Sequence, residues 1–357
     1  MPLPIVSSVS SERSGPTHLI AVAAGKGGVG KSTVTLNLAL ALQERGHKVG
    51  ILDADLYGPS LRRMLPEDRP PSQKGPTLIP AECRGIKVIS MAYFHPENHS
   101  AAVRAPVANN LITQFLTQVE WGPLDYLLID FPPGTGDIQL TISQKAPLSG
   151  AIMVTTPQQV AVMDVRKAMH LFDQVRVPLI GIVENMSFYV TPNGDKQFLF
   201  GQGGGQALAE ETGVPLLGQV PIDPAVSLSG DEGKSLFTSP SLAADTFRKL
   251  AAALEQQLTQ MKADRSLVKV GRQGSQHIEM SWSDGNVQTY RLSDLQQRCP
   301  CAGCVEAGHP PTDPEVGCTQ VTSVGRYALR IQFTSGCSKG IYTFDMLYDF
   351  AESNPRN

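Results

Sequence analysis

A glycine-rich segment near the N-terminus carries the residues best suited to bind phosphate. It contains the pattern G-x-x-x-x-G-K-[ST], in which glycines let backbone N–H groups point at phosphate oxygens and a following helix adds positive potential. In this pattern Lys31 reaches the β- and γ-phosphates and Ser32 binds Mg2+. A site for ATP and Mg2+ is therefore predicted over Gly25, Lys26, Gly27, Gly28, Val29, Gly30, Lys31, Ser32 and Thr33.

Carboxylates that end two apolar runs could supply the acidic side of this site. Asp53 ends the run Val49–Asp53, and Asp130 ends the run Tyr126–Asp130. A carboxylate at the end of an apolar strand is the Walker B arrangement that supports Mg2+, so we assign Asp130, with Asp53, to the metal side. The turn that follows, 131–137, is suited to a switch that reports hydrolysis of a γ-phosphate.

Cysteines form the second group with chemical potential. Only Cys83 lies in the first 298 residues, whereas five lie from Cys299 to Cys337, three of them in the tight sequence Cys299-Pro300-Cys301-Ala302-Gly303-Cys304. Such crowding in a cytosolic chain favours metal binding over disulfides.

Short apolar runs alternate with helix-period segments from Leu19 onward, which predicts an α/β fold with a mostly parallel sheet and helices on both faces. The predicted strands are 19–24, 49–53, 88–91, 126–130, 151–155, 179–184 and 216–220. The predicted helices are 31–45, 107–118, 138–145, 164–174, 204–212 and 242–262. Pro66–Pro80 is predicted to be an irregular loop.

The chain of 357 residues is long enough for two domains. We expect a flexible tail over 1–17, the ATPase domain over 18–262, a linker over 263–276, a small α+β metal-binding domain over 277–351 and a tail over 352–357. In the small domain, short strands and the hairpin signal Ser283-Asp284-Gly285 precede the cysteines, and a bound metal would help to stabilise so small a core.

The composition of the chain limits which binding partners and which cellular location we expect. A net charge of -3 gives no electrostatic footprint for nucleic acid. No apolar run approaches the eighteen or so residues of a membrane span, and the first residues form no signal peptide. We therefore expect a cytoplasmic protein without a nucleic-acid or membrane partner.

Lys26, the second residue of the loop, resembles the signature lysine of the deviant-Walker ATPases, which include MinD, ParA and the nitrogenase iron protein. In that group this lysine reaches the phosphates of the partner subunit across a nucleotide-sandwich dimer. The resemblance implies a homodimer, with Lys26 and Lys31 as catalytic residues.

Within that group, roughly Leu19–Lys262 is similar to the Mrp-type (ApbC-like) iron-sulfur cluster carriers. The resemblance rests on four segments: 52–60, 130–137, Thr155-Thr156-Pro157-Gln158 and Val183-Glu184-Asn185-Met186-Ser187. It implies that Asp55 orients the attacking water, and that Asn185, Pro221 and Asp223 hold the adenine.

One segment departs from that family. Most members carry C-x-x-C shortly after the Glu-Asn-Met-Ser sequence, where thiolates of two subunits bridge a shared [4Fe-4S] cluster, but this chain reads Thr191-Pro192-Asn193-Gly194. Neither threonine nor glycine is a soft ligand for iron. The chloroplast branch of the family is similar in lacking the pair and in having a C-terminal extension.

The C-terminal region resembles the domain at the N-terminus of gamma-butyrobetaine hydroxylase. There, C-x-C-x-x-C and a histidine before a Gly-Ile-Tyr-like strand bind zinc; here Cys337 stands in place of the histidine and is implied as the fourth ligand with Cys299, Cys301 and Cys304. Four thiolates suit Zn2+ or an iron-sulfur cluster, of which [4Fe-4S] is the favoured type, and packed metal-free thiols are a third alternative. Cys318 is interpreted as a core residue that could replace one of the four, and Cys83 as a buried apolar residue.

These observations support three hypotheses. The first is a slow ATP hydrolase that carries iron-sulfur clusters to apoproteins, with hydrolysis as the switch. The second is a ParA- or MinD-like positioning or partner-binding ATPase whose C-terminal domain holds structural zinc. The third is a metallochaperone for another soft metal.

Overall fold

The computed structural model describes residues 16–55, 60–93, 105–134, 136–263, 267–282, 286–308, 313–324 and 328–352. The predicted tails lie mostly outside these residues, as do 56–59, Thr135 and the hairpin signal at 283–285. Two compact units divide the chain between Gln256 and Gln257.

An eight-stranded sheet forms the centre of the first unit. Its strands are β1 His18–Ala24, β2 Val49–Asp53, β5 Ala81–Cys83, β6 Ile86–Ser90, β7 Tyr126–Asp130, β8 Gly150–Thr155, β9 Leu179–Glu184 and β12 Leu216–Gln219. Their order is β12-β9-β8-β1-β7-β2-β6-β5. All pairings are parallel except that of β5 with β6. The unit also contains two hairpins, β3 Ser72–Lys74 with β4 Thr77–Ile79, and β10 Tyr189–Val190 with β11 Lys196–Gln197.

Helices cover the sheet. They are α1 Lys31–Glu44, α2 Leu61–Met64, α3 Ala105–Gln118, α4 Asp137–Lys145, α5 Gln159–Gln174, α6 Gly204–Thr212, α7 Pro224–Asp231 and α8 Leu242–Ala263, with 3-10 turns at Met91–Tyr93 and Leu236–Thr238. Alternate strand residues such as Ala21 and Ile129 pack in one hydrophobic core with side chains of α3, α4, α5 and α6. The intervening residues, among them Ile20 and Leu128, are also fully buried. Burial on both faces explains why these strands read as continuous apolar runs.

Within its described residues, the second unit contains two antiparallel three-stranded sheets and three helices. Its elements are β13 Leu267–Gln273, β14 His277–Trp282, β15 Val287–Arg291, α9 Leu292–Gln297, α10 Ala302–Ala307, β16 Cys318–Val324, β17 Ala328–Phe333, β18 Ile341–Thr343 and α11 Phe344–Glu352. Trp282, Tyr290, Ile331, Tyr342 and Leu347 belong to its own hydrophobic core. The predicted α/β fold with a small α+β domain is thus confirmed.

Two expectations need correction. The segment 263–276, expected to be a linker, contains β13, which pairs with β14 from Leu267 to Gln273. The loop expected over Pro66–Pro80 contains the β3–β4 hairpin. In both segments backbone pairing with a neighbouring strand orders residues whose side chains carry little apolar signal.

None of the helices in the described residues is long and apolar enough to cross a membrane.

Candidate nucleotide and metal sites

The glycine-rich loop connects the end of β1 to the start of α1. Gly28 and Gly30 have φ of 81° and 83°, a backbone conformation that favours glycine. A Cβ at Gly25 would lie 2.1 Å from the backbone carbonyl carbon of Asp164, and one at Gly30 would lie 2.2 Å from the Asn185 Nδ2 atom. The neighbouring residues therefore leave no room for a side chain at Gly25 or Gly30, which explains why glycine stands at these two positions of the loop.

This crowding predicts a contrast between two glycines of the loop. Gly25→Ala should lower the free energy of unfolding of the first unit by roughly 2 kcal/mol or more, because the new methyl group must displace backbone. Gly27→Ala is the matched control, since nothing lies within 4 Å of a Cβ there. Urea denaturation of both variants measures the difference; equal stabilities would contradict the close packing of α5 against the loop.

Lys31, Ser32 and Asp130 meet at the carboxyl end of the sheet. Lys31 Nζ donates to Asp130 Oδ1 at 2.8 Å, and Ser32 Oγ donates to Asp130 Oδ2 at 2.6 Å. Thr35, one helical turn after Lys31, donates from Oγ1 to Asp130 Oδ1 at 2.9 Å. Asp130 is fully buried, so these three donors compensate the loss of its hydration. Thr35 was missed from the sequence, although its spacing of four residues from Lys31 places it on the same helix face.

Asp53 lies beside Asp130, because the two residues are register partners in β2 and β7. The Ser90 hydroxyl donates to Asp53 Oδ2 at 2.8 Å and the backbone N–H of Asp55 donates to Oδ1 at 3.1 Å. Burial and the neighbouring charge of Asp130 raise the pKa of the Asp53 carboxyl to about 7. A serine hydroxyl and two carboxylates at one edge are the hard oxygen ligands that Mg2+ prefers, so the residues present fit the ion. Ser90 is the second contributor that sequence reasoning missed.

A cavity of about 200 Å3 adjoins the outer side of the loop. Its lining residues are Lys26, Gly27, Gly28, Val29, Thr156, Gln158, Met186 and Phe200. The Thr156 hydroxyl oxygen is buried and has no hydrogen-bond partner among the described residues. Lys26 is half-buried here, and Lys31 is not among the residues that line this cavity.

The residues implied in adenine binding lie on two neighbouring segments. Asn185 donates from Nδ2 to the backbone oxygen of Val29 at 2.8 Å, which fixes its amide against the phosphate loop. The backbone at Ile222, between Pro221 and Asp223, donates to the backbone oxygen of Phe188 at 2.7 Å. The Asp223 carboxylate accepts from the backbone N–H of Ala225 at 2.9 Å and so caps α7. The structure brings Asn185 to the loop, and it gives Asp223 a capping role that the sequence interpretation did not include.

Four thiols meet in the second unit. The sulfur atoms of Cys299, Cys301, Cys304 and Cys337 all lie within 4.8 Å of one another. Cys299 and Cys304 are buried, whereas Cys301 and Cys337 are half-buried. A hydrogen bond from the backbone of Cys304 lowers the pKa of the Cys301 thiol to about 7, whereas the side-chain hydrogen bond with Cys301 raises the pKa of the Cys304 thiol and burial raises that of the Cys299 thiol. The two other cysteines differ: Cys318 belongs to the hydrophobic core, and burial raises the pKa of the Cys83 thiol to about 11.

The segment that carries C-x-x-C in most Mrp-type carriers forms a hairpin here. Thr191–Asp195 connect β10 to β11, and the backbone N–H of Gly194 donates to the Thr191 oxygen at 2.9 Å. The hairpin offers oxygen and nitrogen atoms but no sulfur.

Comparison with known proteins now defines the family. The family model of the NUBPL iron-transfer P-loop NTPases matches residues 15–255, which is more than half of the chain. The chain belongs to this family. A second family model, that of the gamma-butyrobetaine hydroxylase-like N-terminal domain, matches residues 270–348 and includes all four clustered cysteines. An NTPase unit and a thiol-rich unit are thus joined in one chain.

Individual relatives agree with this assignment. An iron-sulfur cluster carrier protein of Aquifex aeolicus is 43% identical over 249 residues, 68% of each chain. The chloroplastic Fe-S cluster assembly factor HCF101 of Arabidopsis thaliana is 44% identical over 69% of this chain, but the match spans only 47% of HCF101. A nucleotide-binding protein of Archaeoglobus fulgidus, solved in complex with ADP and with cobalt found in it, is 39% identical with a TM-score of 0.56. That match covers 63% of this chain and 90% of the other.

Proposed function

We propose that this protein is an ATP-dependent iron-sulfur cluster carrier, which delivers clusters to apoproteins and uses ATP hydrolysis as its switch. The observation that carries the proposal is the direct contact of Lys31, Ser32 and Asp130 beside the glycine-rich loop, in a chain of an iron-transfer P-loop NTPase family. The names of the relatives in Aquifex aeolicus and Arabidopsis thaliana support the same cargo. The proposal places this work in the cytoplasm, where thiols stay reduced.

Each group in the nucleotide site has a proposed role. Backbone N–H groups of Gly25–Thr33 and the Lys31 ammonium bind the phosphates, Ser32 and Asp130 hold Mg2+ with Asp53 beside them, and Asp55 orients the attacking water. Bound Mg2+ neutralises charge that develops on the phosphate oxygens. Asn185, Pro221 and Asp223 form the adenine side, with the Asn185 amide fixed against the loop.

We further propose that the working form is a homodimer and that hydrolysis is slow. Lys26 lines a cavity that Lys31 does not line, which suits a lysine that reaches the nucleotide of a second copy. Two apolar side chains of α5, Val160 and Met163, are 63% and 55% exposed, on the helix that begins after the cavity residue Gln158. A second copy would cover them. Turnover that waits for closure of two subunits is expected to be slow.

Thiolates for the cargo can come only from the second unit. Cys83 is the single cysteine before Cys299, and it is fully buried with its sulfur 3.3 Å from the Tyr93 hydroxyl. In the four-thiol site, Cys301 and Cys337 are half-buried, whereas Cys299 and Cys304 are buried, so we propose that ligand exchange takes place at Cys301 and Cys337. We propose this site as the place where iron contacts the chain.

A transfer assay tests the proposed function. The chain is incubated without oxygen with ferrous iron and sulfide, desalted, and mixed with an apoprotein whose activity requires a [4Fe-4S] cluster. Recipient activity should return several-fold faster with MgATP than with MgADP. The control omits the chain and supplies the same amounts of iron and sulfide. Recovery no faster than this control, with either nucleotide, would contradict a carrier function.

A second candidate is a partner-binding ATPase with a structural zinc ion in its C-terminal unit. One observation favours it: the four sulfur atoms lie close together. The Sγ atom of Cys337 is 3.7 Å from that of Cys299 and 3.6 Å from that of Cys301. In that case ATP-dependent dimerisation would persist in the assay, whereas the apoprotein would gain no activity from the chain.

A further inference from the structure

Glu184, the last residue of β9, carries a fully buried carboxylate to which the proposed nucleotide chemistry gives no role. Its Oε1 atom accepts hydrogen bonds from the Ser187 hydroxyl at 2.5 Å and from the Gln219 Nε2 atom at 2.8 Å. Its Oε2 atom accepts one from the backbone N–H of Gly205 at 2.5 Å. Burial of a carboxylate is costly unless donors replace its water. These three donors offset that cost, and each belongs to a different segment of the first unit.

The bond between Glu184 and Ser187 closes a turn. The turn begins at the end of β9, and the two side chains are joined across it. Inside it Met186 has a φ of 54°, a left-handed backbone conformation that is strained for a residue other than glycine. Strain of this kind persists only where surrounding contacts hold it. The bond between the two side chains spans the strained residue and is such a contact.

Asn185, the other residue inside the turn, contacts the glycine-rich loop. Its Nδ2 atom donates to the backbone oxygen of Val29 at 2.8 Å and would lie 2.2 Å from a Cβ at Gly30. Met186 lines the cavity beside the same loop. Because the two residues share a planar peptide bond, a change of backbone conformation at Met186 would also change the direction of the Asn185 amide.

The other two donors hold the carboxylate itself in place. Gly205 is the second residue of α6, and a Cβ there would lie 2.9 Å from the Glu184 Cβ, so the start of this helix packs closely on Glu184. The partial positive charge at a helix N-terminus favours a neighbouring carboxylate. Gln219 is the register partner of Glu184 in β12. The Ser187 hydroxyl therefore meets an acceptor that α6 and β12 fix.

We infer that Glu184 is a positioning residue for nucleotide binding. Through Ser187 it holds Met186 in the left-handed conformation, and this conformation keeps the Asn185 amide on the glycine-rich loop. The inference deepens the proposed function, because it rests on the proposed nucleotide site and adds the group that holds this site in its binding shape. A site that has its binding shape only part of the time binds its ligand more weakly by that fraction. Loss of the contact should therefore appear in the affinity for ATP.

The first test removes either side of the contact in the full-length chain. Ser187→Ala removes the donor, and Glu184→Met removes both acceptor oxygens at similar side-chain length. Each should weaken binding of a fluorescent ATP analogue by about 10-fold in an equilibrium titration, as expected for loss of a buried hydrogen bond. Gly181→Ala is the matched control on the same strand, because a Cβ there would lie 2.4 Å from the Leu217 side chain. It should lower the free energy of unfolding in urea but bind the analogue like the original protein.

The second test separates positioning of the turn from general support of the fold. Glycine adopts positive φ without the steric cost that a methionine has there. When Ser187→Ala is combined with Met186→Gly, the affinity should therefore differ by less than about 2-fold from that of Met186→Gly alone, because no strain is left for the contact to hold.

Three results would overturn the inference. They are unchanged affinity in both Ser187→Ala and Glu184→Met, a loss of affinity from Ser187→Ala that is the same with and without Met186→Gly, and an equal loss in Gly181→Ala. An original protein that does not bind the analogue would refute the nucleotide site itself, and the inference with it. A failed transfer assay with normal binding of the analogue would refute the carrier function and leave this inference standing.

Discussion

Replacement of Lys31 by alanine is expected to abolish ATP hydrolysis, whereas Lys26→Ala should leave nucleotide binding within a few-fold and lower turnover by about 1000-fold. Lys31 contacts the buried Asp130 and is the lysine proposed to bind the β- and γ-phosphates, so its loss should remove binding and chemistry together. Lys26 lies outside this contact, and its proposed task is to stabilise the transition state in the partner subunit, where comparable cationic groups contribute 1000-fold or more. ATP hydrolysis and equilibrium binding of a fluorescent ATP analogue measure the two effects.

A second variant separates chemistry from folding. Lys31→Ala leaves the fully buried Asp130 without its ion pair, a change that costs about 3–5 kcal/mol for a typical buried pair. Ser32→Ala keeps the pair but removes the hydroxyl proposed for Mg2+, and it should also stop Mg2+-dependent hydrolysis. Lys48→Ala, an exposed lysine near the end of α1, is the control and should hydrolyse ATP normally. Normal turnover in both Lys31→Ala and Ser32→Ala would refute the site.

Loss of the two buried thiols should have the largest effect on the second unit. In Cys299→Ser/Cys304→Ser, half of the ligand set is removed from a small core, and a structural metal supplies on the order of 10 kcal/mol of folding free energy. We expect no bound metal and loss of the cooperative unfolding transition of this unit. Metal analysis and near-ultraviolet circular dichroism, to which the buried Trp282 contributes, measure both results.

The control for this variant is another buried cysteine. Cys318→Ala removes a thiol from the core of the same unit, so it should cost about 1 kcal/mol of stability and retain the metal. Nucleotide binding should persist in the double variant, because the first unit has its own core. Full metal content in Cys299→Ser/Cys304→Ser would contradict the assignment of these ligands.

The sequence was most informative where burial on both faces leaves continuous apolar runs. β1, β7 and β8 could be predicted because every one of their residues is buried, and Asp130 could be assigned because it ends such a run. Thr35 and Ser90 were missed, since a hydroxyl gains its partner only when distant strands bring a carboxylate to it. β13 was missed because charged residues such as Lys269 and Arg272 interrupt its apolar pattern, although backbone pairing with β14 orders it.

The segment around Asp223 shows a different limit of prediction from sequence. Asp223 followed by Pro224 is a helix-start signal, with a capping carboxylate and a proline in the first turn, and it does begin α7. Resemblance to the carriers implied adenine binding for this residue, and its capping role went unpredicted. The distances between the sulfur atoms of the cysteine cluster also could not be predicted from the sequence. Cys337 is 33 residues from Cys304, and only the folded β17–β18 connection sets the distance between Cys337 and the other three cysteines.

The carrier function is tested most directly by the amount of recipient restored per ATP hydrolysed. In the transfer assay, recovery of apoprotein activity should rise in proportion to the ATP consumed. Lys26→Ala should lose both ATP hydrolysis and recipient recovery while it still binds nucleotide. Recipient recovery at an undiminished rate in Lys26→Ala, or with no ATP present, would contradict the claim that hydrolysis by this chain drives delivery.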